Sequence, residues 1–252
     1  IYLNMKIEEK IKNRFLYKPG LNLIKILYFK IQTLKKKNIS KTYCTGAQDL
    51  LINYFFKSKK NGFYIDVGCY HPFNGNNTKL LYDKGWSGIN IDLDFHTIDF
   101  FNYIRARDEN INVAISDTNS EKDLYFFHNR SAINSLSQVR KGSEKEIKKI
   151  KAQTLNSVIE NSKFKQKKLN FLSIDVEGHE LEVLKGFDLN KYSPELVVVE
   201  FIDYKMKEIE FHNQSLNTIM SSEVYKLMIN NNYHLVNWIH SDLFFVHEDA
   251  RL

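Results

Sequence analysis

Alternation constrains this chain more than any other property: from residue 45 onward, short apolar runs rich in Val, Ile and Phe are separated by segments with helical spacing. Residues 63–68 read as a buried strand ending in a turn, 87–92 as a second, 111–116 as a third and 169–175 as a fourth. The run Leu196-Val197-Val198-Val199-Glu200 is the most β-branched and is predicted to be central. Between these runs, residues 77–84, 96–108, 154–161, 177–185 and 222–230 are predicted helices, with Gly85 and Gly186 placed as C-terminal caps. Glu177 and Glu180 fall in the expected first turn of 177–185, where negative charge suits the helix dipole. Residues 233–239 and 243–247, joined at His240-Ser241-Asp242, are predicted to pair as a closing hairpin. Residues 124–128 read as an extra short strand, and the Lys/Glu run 141–151 as a solvated helix face or loop. Strand–helix alternation of this kind implies an α/β, Rossmann-like sheet of seven strands, mainly parallel, with a C-terminal antiparallel hairpin and helices on both faces.

A chain of 252 residues can bury one full core with room for a short appendage. Charge marks where the appendage lies. Residues 1–41 carry eleven Lys/Arg against Glu8 and Glu9, a balance of +9, whereas the whole chain is +6, which leaves 43–252 at −3. The expected organisation is a basic amphipathic helical arm over 1–44 and one domain over 45–252. In the arm, Leu21, Ile24, Leu27, Tyr28, Ile31 and Leu34 recur at helical spacing. Two readings stay open: peripheral docking of 1–41 on an anionic membrane or a partner, or a helix packed on the domain with its lysines in water. Since the basic charge belongs to the arm, no nucleic-acid partner is expected. Cys44 and Cys69 cannot staple a domain of this size. No uncharged apolar run reaches the ~18–20 residues of a membrane span, and the opening residues lack a signal-peptide pattern. The expected location is cytoplasmic, with the arm leaving open a peripheral place at the membrane.

In an open parallel sheet, ligands bind beyond the carboxyl ends of the strands. Three of the predicted strands end in acids, Asp66, Asp92 and Asp175. Taken singly, Asp66 and Asp92 could equally be helix caps; their joint placement on neighbouring strands points to a site. Gly68 would let backbone approach a ligand closely, and Asp92 lies where an acid can accept hydrogen bonds from ribose hydroxyls. The turn Gly68-Cys69-Tyr70-His71-Pro72-Phe73 holds a single glycine, poor provision for a pyrophosphate, so a nucleoside without phosphate is the better-fitting occupant. Downstream, Ser173-Ile174-Asp175-Val176-Glu177-Gly178-His179-Glu180 places two carboxylates and an imidazole at one strand end. These could bind an ammonium, hold a divalent cation such as Mg2+, or take a proton.

These stretches, together with Asn77-Thr78, Gly85-Trp86-Ser87-Gly88-Ile89-Asn90-Ile91-Asp92 and Asn112-Val113-Ala114-Ile115-Ser116, closely resemble the FkbM-type methyltransferases from about residue 45 to about 247. The resemblance implies a class I methyltransferase fold with S-adenosyl-L-methionine, which carries no phosphate, as cofactor. By position it implies Asp66 and Gly68 along the methionine part, Asn77 and Thr78 nearby, Asp92 on the ribose, and Asn112 and Ala114 near adenine. Asp175 and Glu177 would face the reacting centre. It further implies methylation of a hydroxyl on a sugar, glycan precursor or secondary metabolite, so a small-molecule or glycan acceptor is the expected partner. Two positions depart from the common pattern: Tyr70-His71-Pro72 stands where many relatives have another glycine, and Leu93-Asp94 follows Asp92, making Asp94 a rival for the ribose.

An aliphatic hydroxyl is a weak nucleophile, so a base or a metal ion is expected beside it. Glu177 and His179 are the candidate bases, with Asp175 at the same centre, and Asp175 with Glu177 is the candidate metal pair. Two other classes compete. A nucleic-acid methyltransferase would need a basic face beside the cleft, and an inert Rossmann-like binding or assembly module would use the arm for docking.

Overall fold

The computed structural model describes residues 27, 42–128, 132–138, 144–202 and 215–251. Apart from Leu27 and residues 42–44, the arm expected over 1–44 lies outside them. Tyr43–Leu252 forms one compact unit.

Its strands are β1 (Phe63–Val67), β2 (Ser87–Asp92), β3 (Glu109–Asn112), β4 (Ala114–Ile115), β5 (Ser120–Phe126), β6 (Glu146–Gln153), β7 (Phe171–Ile174), β8 (Leu196–Glu200), β9 (Tyr233–Ile239) and β10 (Asp242–His247). The helices are α1 (Gln48–Phe55), α2 (Lys79–Asp83), α3 (Phe95–Ile104), α4 (Leu155–Asn161), α5 (Glu180–Lys185), α6 (Leu189–Tyr192), α7 (Leu216–Ser221) and α8 (Glu223–Asn230).

Seven strands form the main sheet in the order β3-β2-β1-β7-β8-β10-β9. All its pairs are parallel except those of β10, which runs antiparallel to both β8 and β9. This is the expected doubly wound, mainly parallel sheet with a closing hairpin. Strand alternation divides its side chains between two cores. Phe63, Ile65, Val67, Leu172, Ile174, Val197 and Val199 meet α4, α5 and α8 on one face. Tyr64, Phe171, Leu196, Val198 and Phe244 meet α1 through Ile52 and α2 through Leu81 on the other. Each fully buried aliphatic side chain in these layers contributes about 1.5–3 kcal/mol. Apolar residues at consecutive positions of β8 are therefore what its central place requires.

Several elements differ from expectation. From Glu146 onward the Lys/Glu run is a strand, not a helix or loop. Residues 146–153 form β6, central in a second sheet ordered β4-β6-β5, because Ile150 and Ala152 alternate with exposed charges at a period of two. The third predicted strand splits at Val113, its first part pairing with β2 and its second with β6. Helix α1 was not foreseen. The helix expected from 177 begins only at Glu180, since Glu177 (φ 57) and Gly178 (φ 93) are left-handed and cannot continue a right-handed helix. No described helix is long and apolar enough to cross a membrane.

Candidate active site

The carboxyl ends of β1, β2 and β7 surround a crevice open to solvent. Its walls are Val67 and Gly68 at the end of β1, Ile91 and Asp92 on β2, Val113 to Ile115 beyond β3, and Asp175 to Glu177 with His179 after β7. Ala132, Asn134 and Leu136 close one side.

Gly68 is left-handed, with φ 78, and a β-carbon there would fall 1.7 Å from the carbonyl oxygen of Asp175. The sequence suggested that this glycine makes room for a ligand. It lines the crevice and also makes room for the neighbouring strand end, where β1 and β7 meet at the crevice floor.

Asp92 ends β2 half-buried, its Oδ2 accepting from Tyr70 N at 3.0 Å and its Oδ1 from Asp94 N at 2.8 Å. Each carboxylate oxygen keeps a lone pair beyond those bonds. Burial raises its pKa to about 7, against the opposing pull of the two N–H donors. Asp94 also lines the crevice, but its Oδ1 caps α3 by accepting from His96 N (2.7 Å) and Thr97 N (3.3 Å). The cap accounts for an acid at 94, whereas Asp92 directs its carboxylate at the turn between β1 and α2.

Four of the expected cofactor residues lie outside the crevice lining. Asp66 is buried beneath the turn, accepting from the Thr78 hydroxyl (3.0 Å) and Asn76 Nδ2 (3.2 Å). Thr78 is fully buried at the start of α2. Asn77 donates to Ser173 Oγ at 3.1 Å and accepts from Cys44 Sγ. Asn112 donates to the Asp92 carbonyl at 3.0 Å, bracing β2 from the side. The unusual Tyr70-His71-Pro72 turn is pinned from below by the fully buried Arg105, which donates to Pro72 O (3.2 Å), Asn76 Oδ1 (2.7 Å) and Tyr64 Oη (3.2 Å).

His179 lines the crevice, but both ring nitrogens are engaged: Nε2 with Ser116 Oγ and Nδ1 with Ser137 Oγ, each at 2.9 Å. Burial lowers its pKa. In this arrangement the imidazole expected as a base is held between two serine hydroxyls. With Ser135 Oγ donating to Val176 O at 3.2 Å, it ties residues 132–138 to the end of β7.

The two carboxylates foreseen here are joined by a third. Asp175, Glu177 and Glu200 each bring an oxygen within 4.8 Å of the others. Asp175 opens into the crevice and Glu200 is buried. Desolvation beside the crevice wall, then the charges of Asp242, Glu177 and Glu180, push the Asp175 carboxyl up. Glu200 is raised for the same reasons, with burial first and Asp175 next. Glu180 is buried behind them, its Oε1 accepting from Val176 N and Gly178 N, both at 3.0 Å. It therefore holds the Glu177 turn rather than merely facing a helix dipole. Glu200 and Asp242 were overlooked in the sequence. The rule that selected Asp66, Asp92 and Asp175, an acid closing a strand, applies equally to Glu200. Asp242 is concealed by topology, since it begins its strand.

Residues 66–233 match the family model described as the methyltransferase FkbM domain. No curated protein matches the chain. Among solved structures, monomeric WbdD is similar at 12% identity and TM-score 0.43, over 85% of this chain and 44% of that one. A TehB-like SAM-dependent methyltransferase from Corynebacterium glutamicum ATCC 13032 Kitasato is similar at 10% identity and TM-score 0.44, over 91% of this chain and 100% of that one. The chain thus spans less than half the length of the first of these structures.

Proposed function

The chain belongs to the FkbM methyltransferase family, and from that premise we propose that it is an S-adenosylmethionine-dependent O-methyltransferase acting on a hydroxyl of a sugar, glycan precursor or secondary metabolite. The observation that carries this reading is the convergence of Asp92 and Asp175 on one crevice from the ends of β2 and β7. Between them runs a largely apolar wall of Val67, Ile91, Val113 and Ile115.

The residues present suit the cofactor. Asp92 offers carboxylate acceptors to a pair of hydroxyls, the apolar wall suits a flat base, and nothing in the 68–75 turn is built to seat phosphates. When bound, S-adenosylmethionine supplies an activated methyl group and needs no help as a donor. The chain's own task is to align the acceptor oxygen and remove its proton. Alignment can contribute as much as ~7–11 kcal/mol, and a positioned base about 10²–10⁴-fold. Glu177, held toward the crevice by its left-handed turn, is the base in this reading. A divalent cation such as Mg2+, held through one oxygen each of Asp175 and Glu177, would assist by stabilising the deprotonated acceptor oxygen and would leave the second Glu177 oxygen to take the proton. The free thiols of Cys44 and Cys69 accord with a reducing, cytoplasmic setting.

Calorimetry with S-adenosylhomocysteine and transfer of labelled methyl to carbohydrate hydroxyls test the proposal together. Binding is expected. Glu177→Gln should lower turnover at least tenfold with cofactor affinity intact. No binding at millimolar S-adenosylhomocysteine would overturn the reading, and methyl transfer to RNA or DNA but not to carbohydrate would overturn the acceptor class.

A further inference from the structure

Resting on that reading of the crevice, we infer that Asp175, Glu177 and Glu200 together form a binding site for one hard divalent cation, with Glu200 as the ligand that completes it. Strands β7 and β8 are adjacent and parallel, with Ile174 opposite Val199. Asp175, the first residue past β7, and Glu200, the last of β8, therefore lie side by side. The turn at Glu177 and Gly178 brings back a third carboxylate, and one oxygen from each lies within 4.8 Å of the others. Two oxygens on opposite sides of an ion are about 4 Å apart for Mg2+ and about 5 Å for Ca2+, so the three can share one ion.

A group of acids alone would not make a site. Here Glu200 is only 8% exposed, and its Oε2 is buried without a hydrogen-bond partner among the described residues, although the side chain shares a hydrogen bond with Asp175. An unsatisfied buried carboxylate oxygen is costly. Among the described residues, the charges acting most strongly on Asp175 and Glu200 are other carboxylates. Asp242 stands directly opposite Glu200 in the antiparallel ladder, its own Oδ2 taken by Gln48 Nε2 at 2.6 Å. The donor set is all carboxylate, without His or Cys, which selects Mg2+, Mn2+ or Ca2+ over zinc or copper. Asp175 and Glu177 also line the crevice whereas Glu200 does not, so the ion sits at the crevice edge, anchored from behind.

The test needs neither cofactor nor acceptor. The full chain, stripped with EDTA, is titrated with MnCl2, MgCl2 and CaCl2 by calorimetry, and Mn2+ is followed by electron paramagnetic resonance. One saturable ion per chain is expected. Glu200→Gln, nearly isosteric and neutral, should weaken it at least tenfold while S-adenosylhomocysteine affinity stays within twofold. A melting curve for the variant confirms folding. No saturable binding up to about 10 mM ion, or equal ion affinity in wild type and Glu200→Gln, overturns the site, as does binding of ethylammonium with none of the three ions. Ion binding that depends on Glu200 in a chain that ignores S-adenosylhomocysteine would sink the methyl-transfer reading alone, and the reverse result would sink only the cation site.

Discussion

The carbonyl oxygen of Asp175 occupies the space that a β-carbon on Gly68 would require, 1.7 Å away. Two strand ends meet there with no side chain between them, and the crevice floor depends on it. Gly68→Ala should combine left-handed strain of about 1–3 kcal/mol with displacement of β1 from β7. The expected outcome is a stability loss of at least about 2 kcal/mol in urea unfolding and loss of S-adenosylhomocysteine binding by calorimetry. Wild-type affinity in this variant would show that the contact does not shape the site.

Asp92 and Asp94 have separable tasks. Asp92→Ala is expected to weaken S-adenosylhomocysteine at least tenfold, since hydrogen bonds to charged groups contribute about 1.5–3 kcal/mol. Asp94→Ala removes the cap of α3 and should cost about 1 kcal/mol of stability with a smaller change in affinity. Calorimetry and thermal melts on the two variants decide it, and the opposite ranking would hand the ribose to Asp94.

His179 should act as an anchor. Replacing it with Ala abandons the hydroxyls of Ser116 and Ser137, a loss of about 1–3 kcal/mol. Amide exchange in 132–138 should quicken while strands β1 and β8 stay protected. Because burial depresses its pKa below the usual imidazole value, His179 is neutral at pH 7 and above. The wild-type rate profile should therefore show no inflection from it in that range.

Glu180 carries a pH signature. Burial lifts its pKa from 4.5 to about 7, so between those values the folded chain holds a proton that the unfolded chain has released. Its contribution to stability is full below pH 4.5 and falls as pH rises toward 7. Glu180→Gln keeps an oxygen for Val176 N and Gly178 N while removing the titration. The variant should match wild type near pH 4 and exceed it by about 1–3 kcal/mol above pH 7, read from urea melts across pH.

Much of the main sheet could be read from residues. Consecutive Val and Ile at 196–199 announce burial on both faces, and the polar turn at 240–242 marks the hairpin. That Asp92, Asp175 and Glu177 line one crevice was legible because acids at strand ends stand out in sequence. What escaped depended on distant partners. In β6, Lys148, Lys149 and Lys151 lie on a sheet with solvent on much of its surface, so composition looked like a solvated helix while backbone pairing with β4 and β5 set the conformation. The break at Glu177 is invisible because a left-handed non-glycine residue leaves no compositional trace; the Glu180 carboxylate that sustains it reads as a helix-dipole acid. Arg105, which fixes the 72–76 turn, is separated from it by about thirty positions of chain.

The reversed direction of β10 also sets when the molecule can be finished. Because this strand is wedged between β8 and β9, Asp242 and its mate Gln48 come together only after residues 242–247 have left the ribosome and slotted in. A nascent chain halted at residue 240 could fold β1, β2 and β7 and yet lack the far wall of the acidic corner. Such an intermediate would expose the flank of β8, Val197 to Val199, as an open edge available to any passing strand.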